Sequence, residues 1–452
     1  MVPPARGRSR RDDAPAPTPE LVIAGRAWLR GRLQPVEIGI DGDGRICAVA
    51  RTLEGARRHD VGQRVVVPAA TDPHVHFRDP GPDGAAESIA TGTVGAALGG
   101  VGLVGEMPNT EPPVTSVDRL EAKAERVRGR AAVDVLLFAT PPSPRSVRAL
   151  ARRAGGLKLF LSPTTGIASV PPGEELSALL DAVGEVDLPL VAHAEEPALF
   201  RHDPQPSDPA GWDAARPTAA EAAAVARLLA GPTRLRLHVA HVTSAAIGRT
   251  LRAAGLSFEA TPHHLLLSTT SGRTARFKVN PPLRSPAERV ALWEAFRSGE
   301  VPMLGSDHAP HAAESKALPF ELAPSGVPGV QTAFPLLLAQ VAAGELALPV
   351  LQQAACDRPA RMFGQPCGRI GVGHRANLLV VDFRSRSPVR GERLASPCGW
   401  SPFEGTEAVF PVEHWRDGEP IVEGGEYVGR PAGRVVRPEY APGESARPPA
   451  DA

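Results

Sequence analysis

The sequence predicts an α/β protein: a (β/α)8 TIM-like barrel joined to a small β-sandwich domain built from both chain ends. Three observations lead there. Between about Val65 and Phe363 an apolar strand followed by an Ala/Leu/Arg-rich helical stretch recurs, and such alternation over roughly 300 residues is how a parallel barrel reads in sequence. Several of those strands run into ionisable residues, which a barrel gathers on one face at its strand C-termini. Short strands near the start also have counterparts near the end, which makes the barrel an insert between two halves of a second domain. An open doubly wound sheet competes, but a crevice at one switch point does not easily collect side chains from five separate strands.

Taken in order, residues 1–20 hold Pro, Arg and Asp without an apolar core and are expected to form a disordered tail. Leu21–Ala24 and Val36–Ile40 have the apolar, β-branched character of strands, and Asp41-Gly42-Asp43-Gly44 turns the chain into Ile46–Val49. These belong to a small β domain assigned to 21–65 and 371–430, whose second half carries Ala376–Asp382 and the stretch around Tyr427. The barrel is assigned to 66–370. Its strands include Val133–Phe138, Gly156–Phe160, Leu190–His193, Leu237–His241 and Pro302–Asp307. Residues 431–452 are rich in Pro, poor in large apolar side chains, and expected to be a flexible tail.

Composition narrows the partners. The 50 basic residues are balanced by 50 acidic ones, so no bulk charge draws the chain to nucleic acid or an anionic membrane, and a small-molecule substrate is expected. The sequence has no run of about 18 uncharged apolar residues, and its first residues lack a secretory apolar core. Cys47, Cys356, Cys367 and Cys398 lie far apart without a Cys-x-x-Cys pair, which suits a reducing cytoplasm and argues against a thiolate zinc cluster.

The chemistry gathers first at Thr71-Asp72-Pro73-His74-Val75-His76-Phe77-Arg78-Asp79-Pro80-Gly81, directly after the apolar Val65-Val66-Val67-Pro68. If His74 and His76 continue an extended backbone, the period of two sets both imidazoles on one face, close enough for one metal ion, with Arg78 following on that face. Alone, a His-x-His is more often a hydrogen-bonded pair at a strand end. Lys158, His193, His241 and Asp307 on other strands change the balance. Imidazole and carboxylate suit zinc, and the set is too large for one tetrahedral ion, so two metals are implied. An ammonium cannot ligate a cation. Taken alone, Lys158 reads as a buried stem reaching for solvent; as a carbamate formed with carbon dioxide it would be a carboxylate able to bridge two ions.

The segments Asp72–Gly81, Met107-Pro108-Asn109-Thr110, Gly156-Leu157-Lys158-Leu159-Phe160, Ala192-His193-Ala194-Glu195, His238–Thr243, Lys278-Val279-Asn280-Pro281-Pro282-Leu283-Arg284 and Ser306–His311 together resemble the dihydroorotases. These are amidohydrolases that close N-carbamoyl-L-aspartate to L-dihydroorotate in pyrimidine synthesis. The resemblance runs in order from about residue 21 to about 430, and is to the subtype with a carboxylated bridging lysine. It implies that His74, His76 and Asp307 bind one zinc ion, that His193 and His241 bind a second, and that carboxylated Lys158 spans both. It further implies that Asp307 carries the proton, that Arg78, Asn109 and His311 clamp the substrate carboxylate that takes no part in the reaction, and that Asn280 touches the substrate. Barrels of this type often pair, so a homo-oligomer is within expectation.

Other features are read more plainly. His263-His264 are divided between supporting the site and packing, His308 is read as structural, and Pro324–Gly329 is divided between a loop over the site and an ordinary turn leading into a helix. Cys398-Gly399-Trp400 is read as packing. Ala85-Ala86-Glu87-Ser88 stands where the family commonly has a charged run, touching no ligand, and the Pro-rich ends match nothing. The competing functions are a hydantoinase or allantoinase, which share the metal set but differ around the second motif, and a non-catalytic homologue, which would be expected to have lost ligands.

Overall fold

The computed structural model describes residues 18–440 except 82–85, 165–166, 168, 203–204 and 233. Strand β1 (Leu21–Leu29) turns through Arg30 and Gly31 into β2 (Arg32–Ile40), with β3 (Ile46–Ala50) beside it. Both turn residues have positive φ, 52° and 77°, as a two-residue hairpin matching strand twist requires. Strand β4 (Arg57–Pro68) runs parallel to β1 and leads straight into the barrel. The chain then forms eight parallel strands: β5 (Ala70–Val75), β6 (Val101–Glu106), β7 (Asp134–Ala139), β8 (Gly156–Phe160), β9 (Leu190–His193), β10 (Leu237–Val239), β11 (Ser257–Ala260) and β12 (Met303–Leu304). Each residue of all eight is buried, because one face lines the interior and the other meets the surrounding helices. Closure comes just past β12, where Val75 and His308 form a parallel bridge and His76 N donates to His308 O at 2.7 Å.

Strand β13 (Leu378–Val381) returns antiparallel to β4, followed by Glu413–Arg416, Glu419–Glu423 and Glu426–Tyr427, completing an eight-stranded sheet from both chain ends. The fold is thus the α/β barrel with a flanking β domain that the sequence predicts. The two are fused along β4 and β13. Val66, Leu378 and Val380 pack with Ile23 and Ile38 in the sheet's own core, while Val65, Val67, Leu379 and Val381 join the barrel core. The strand period of two explains why these segments are apolar at every position.

Some chain-end expectations need correcting. Residues 1–17 and 441–452 lie outside the described residues, as does Ala85. Residues 18–20, placed in a disordered tail, are tied down: Glu20 N donates to Ile40 O and Pro19 O accepts from Ala56 N. Residues 431–440, placed in a flexible tail, pack on the barrel. Val435–Val436 pair parallel to β7, Tyr440 Oη donates to Met362 O at 2.8 Å, and the Arg236 guanidinium lies 3.7 Å from the Tyr440 ring centroid. No described helix is long and apolar enough to cross a membrane.

Candidate active site

Alternation along each barrel strand sends every second side chain to the axis. In β5 this is His74, in β8 Lys158 at its centre, in β9 His193 at its end. His76, His241 and Asp307 stand just beyond β5, β10 and β12. The sequence's expectation that Arg78 shares the face of the two histidines does not hold by simple extension, since the strand ends at Val75 and Arg78 turns with a φ of 52°. His241 and Asp307 take similar left-handed turns at 40° and 46°. Such backbone costs about 1 kcal/mol or more per residue and concentrates where function fixes a side chain.

These turns bring the groups together. His74 Nε2 lies 3.1 Å from His76 Nε2 and 3.3 Å from Asp307 Oδ1, and His76 Nε2 is 3.1 Å from the same oxygen. Lys158 Nζ is 3.2 Å from His74 Nε2. On the other side His193 Nδ1 is 3.0 Å from His241 Nε2, and the His241 ring is 5.4 Å from that of His74. All six groups therefore converge on one small volume.

Two buried glutamates to which the sequence reading gave no role hold the imidazoles. Glu259 on β11 accepts from His74 Nδ1 at 2.7 Å and contacts His238 Nε2 at 3.1 Å; Glu195 accepts from His193 Nε2 at 2.8 Å and pairs with Arg216. Burial opposes ionisation of both, but His74 and His238 for one, Arg216 and His193 for the other, hold them well below the usual carboxylate range. Each thereby fixes which ring nitrogen keeps its proton and which turns a lone pair to the centre. The signal was present: Glu259 occupies an inward position of Ser257-Phe258-Glu259-Ala260, where an acid has no packing role.

Burial first, and the Lys158 charge second, pulls His74 down to about 4, against the opposing pull of Asp307 and Glu259. His76 and His241 are lowered well below the ordinary value, again chiefly by burial. Neutral imidazoles are what a metal ion binds. Three donor atoms, from His74, His76 and Asp307, lie within 4.8 Å of one another, and their crowded lone pairs are what a cation between them relieves. The residues fit a divalent metal with nitrogen and oxygen ligands.

Beside this centre, Arg78 Nη1 donates to Pro310 O at 2.7 Å and lies 3.4 Å from His311 Nδ1. His311 Nε2 donates to Ser325 O at 2.9 Å, and Ser325 Oγ donates to Asn280 Oδ1 at 3.2 Å. Arg78, His311 and Asn280 are thus one connected wall; Asn109 is buried beyond the end of β6, the strand next to β5. Two tryptophans brace the wall: Trp212 Nε1 donates to Asn280 Oδ1 and Trp400 Nε1 to His311 O. Trp400 is therefore more than packing. His264 joins Thr261 Oγ1 to Pro281 O, beside Asn280, and so supports the wall. His308 accepts from Gly329 N and lies 3.3 Å from Glu87 Oε2, so Glu87 meets the neighbour of Asp307 rather than a candidate ligand.

A parallel barrel with imidazoles and a carboxylate at its strand ends and a lysine within one strand defines a class, the metal-dependent hydrolases, and comparison agrees. Residues 65–413 match the amidohydrolase family. The dihydroorotase of Halobacterium salinarum is 37% identical over 92% of this chain and 99% of that protein. The dihydroorotase of Thermoplasma volcanium is 34% identical over 93% and 99%. Among solved structures, the L-hydantoinase of Arthrobacter aurescens superposes with a TM-score of 0.87 at 26% identity, covering 92% of this chain and 99% of that one. The chain belongs to the amidohydrolase family and, within it, to the dihydroorotases. It is an enzyme acting on cyclic amides.

Proposed function

We propose that this enzyme interconverts N-carbamoyl-L-aspartate and L-dihydroorotate in pyrimidine synthesis at a binuclear zinc site. In this reading His74, His76 and Asp307 would hold one ion and His193 and His241 the other, with carboxylated Lys158 as the ligand that would serve both. The carrying observation is the Arg78, His311, Ser325 and Asn280 wall directly beside the converged ligands, because a guanidinium there suits a substrate carboxylate. Lys158 supports it too: burial pulls its amine down to about 8, and the neutral amine is the form that adds carbon dioxide. The four cysteines are free and buried, in keeping with the cytoplasmic setting that belongs to the same proposal.

Divalent ions bound there supply Lewis acidity and ease the ionisation of water. The chain's own groups do the rest. Arg78, Asn109 and His311 hold the substrate carboxylate, Asn280 contacts the substrate, and Asp307 holds the proton that must reach the ring nitrogen as the amide C–N bond breaks. In ring closure Asp307 takes that proton from the ureido nitrogen and returns it to the departing oxygen.

The test is a spectrophotometric assay of dihydroorotate hydrolysis beside hydantoin and allantoin, with metal content measured on the same sample. Dihydroorotate is expected to be preferred, with two zinc ions per chain; a preference for either other ring overturns the reading in favour of a hydantoinase or allantoinase, and metal-free, inactive protein favours a non-catalytic homologue. The wall is tested separately. Arg78→Lys keeps the charge but loses the bidentate fork, so kcat/KM is expected to fall by about 10²-fold, on the order of 3 kcal/mol, with metal content unchanged. Loss of metal instead would remove Arg78 from the carboxylate site.

A further inference from the structure

Two lysines outside the ligand set are buried against the wall. Lys278 stands two residues before Asn280, and Lys316 ends the helical turn Ala313–Lys316; they are 4% and 2% exposed. Lys278 Nζ donates to the carbonyls of Phe320, Ala323 and Glu321 at 2.7, 2.8 and 3.3 Å. Lys316 Nζ donates to those of Pro324, Gly326 and Lys278 at 2.9, 2.9 and 3.3 Å. An ammonium has three N–H donors, and each of these meets three carbonyls.

The pattern has a direction. Five of the six carbonyls belong to segment 320–326, which contains Ser325, the residue that accepts from His311 and donates to Asn280. Among the rings flanking the ammoniums are the two tryptophans that brace the wall: Lys278 lies 4.6 Å from the Trp212 ring centroid, with Phe320 at 5.2 Å, and Lys316 lies 5.6 Å from that of Trp400. Burial, reinforced by the charges of Lys278 and Arg78, brings Lys316 down to about 7, so the three basic groups stand close enough to feel one another across the wall.

We propose that Lys278 and Lys316 are positioning residues that select for a substrate carboxylate. They pin segment 320–326 so that Ser325 holds His311 and Asn280 in place, and their charges add to that of Arg78 in favouring an anionic ring over a neutral one. This deepens the carboxylate-clamp reading above and rests on it.

Lys316→Met is tested with L-dihydroorotate as substrate and dihydrouracil, the same ring without its carboxylate, as competitive inhibitor. KM for dihydroorotate is expected to rise about tenfold or more, with kcat within about threefold. Metal content and the inhibition constant of dihydrouracil should stay unchanged. Lys316→Gln, which keeps N–H donors but no charge, should fall between. An unchanged KM, or equal losses in kcat and in dihydrouracil binding, overturns the inference, as does failure of both variants to fold, which would make Lys316 a stability residue. A wild-type enzyme that does not turn over dihydroorotate would instead sink the clamp reading itself.

Discussion

Asp307→Asn is expected to lower kcat roughly 10³-fold or more in both directions while leaving the protein folded and metal-loaded. The backbone at this position has a φ of 46°, a conformation asparagine tolerates at least as well as aspartate. The amide is nearly isosteric, and its oxygen can occupy the place of Oδ1 between His74 Nε2 and His76 Nε2, 3.3 and 3.1 Å away. What it cannot do is accept and return a proton. Single-turnover kinetics in the opening and closing directions, with metal analysis and circular dichroism on the same preparation, separate these effects. An active asparagine variant would remove Asp307 from the proton's path.

Lys158→Ala is expected to lose most of one metal ion and nearly all activity. Lys158 is 1% exposed and its Nζ sits 3.2 Å from His74 Nε2, so truncation opens a space at the junction of the two histidine groups. The three donors of His74, His76 and Asp307 remain to hold an ion, whereas His193 and His241 are left with two nitrogens, too few for a tetrahedral site. Short carboxylic acids that fit the vacated space are expected to restore part of both metal and turnover. Two metals and wild-type rates in the variant would rule out the bridge.

Legibility was uneven across the site. His74 and His76 could be read because a strand's period of two is a local property, and their closeness follows from two residues of extended chain. His193, His241 and Asp307 could be picked out as polar endings of apolar strands, but nothing local says that β9, β10 and β12 stand in one ring with β5. Glu259 was given no role because its task is set by a partner far away in sequence, His74 lying 185 residues before it; Glu195 was read only as part of its motif, although His193, which it holds, is two residues away. Trp400 packs as read, in a cluster with Val279, Leu283 and Cys398, but its further bond from the indole to His311 O spans 89 residues and could not be read locally.

The sequence by itself determined the strand and helix alternation, the barrel it implies, and the double-sided burial of Val65-Val66-Val67, because periodicity and apolar run length are written residue by residue. Tertiary structure alone decided how the ends are held, with Val435–Val436 added to β7. It also decided which way Arg78, His241 and Asp307 point, since each turns on a positive φ that non-glycine side chains do not advertise. The wall of Arg78, His311, Ser325 and Asn280 exists only once segment 320–326 is folded over the barrel mouth. The physical reason is one of range: hydrophobic pattern and backbone period act between near neighbours, whereas a desolvated polar contact depends on whichever distant groups the closed barrel brings within about 3 Å.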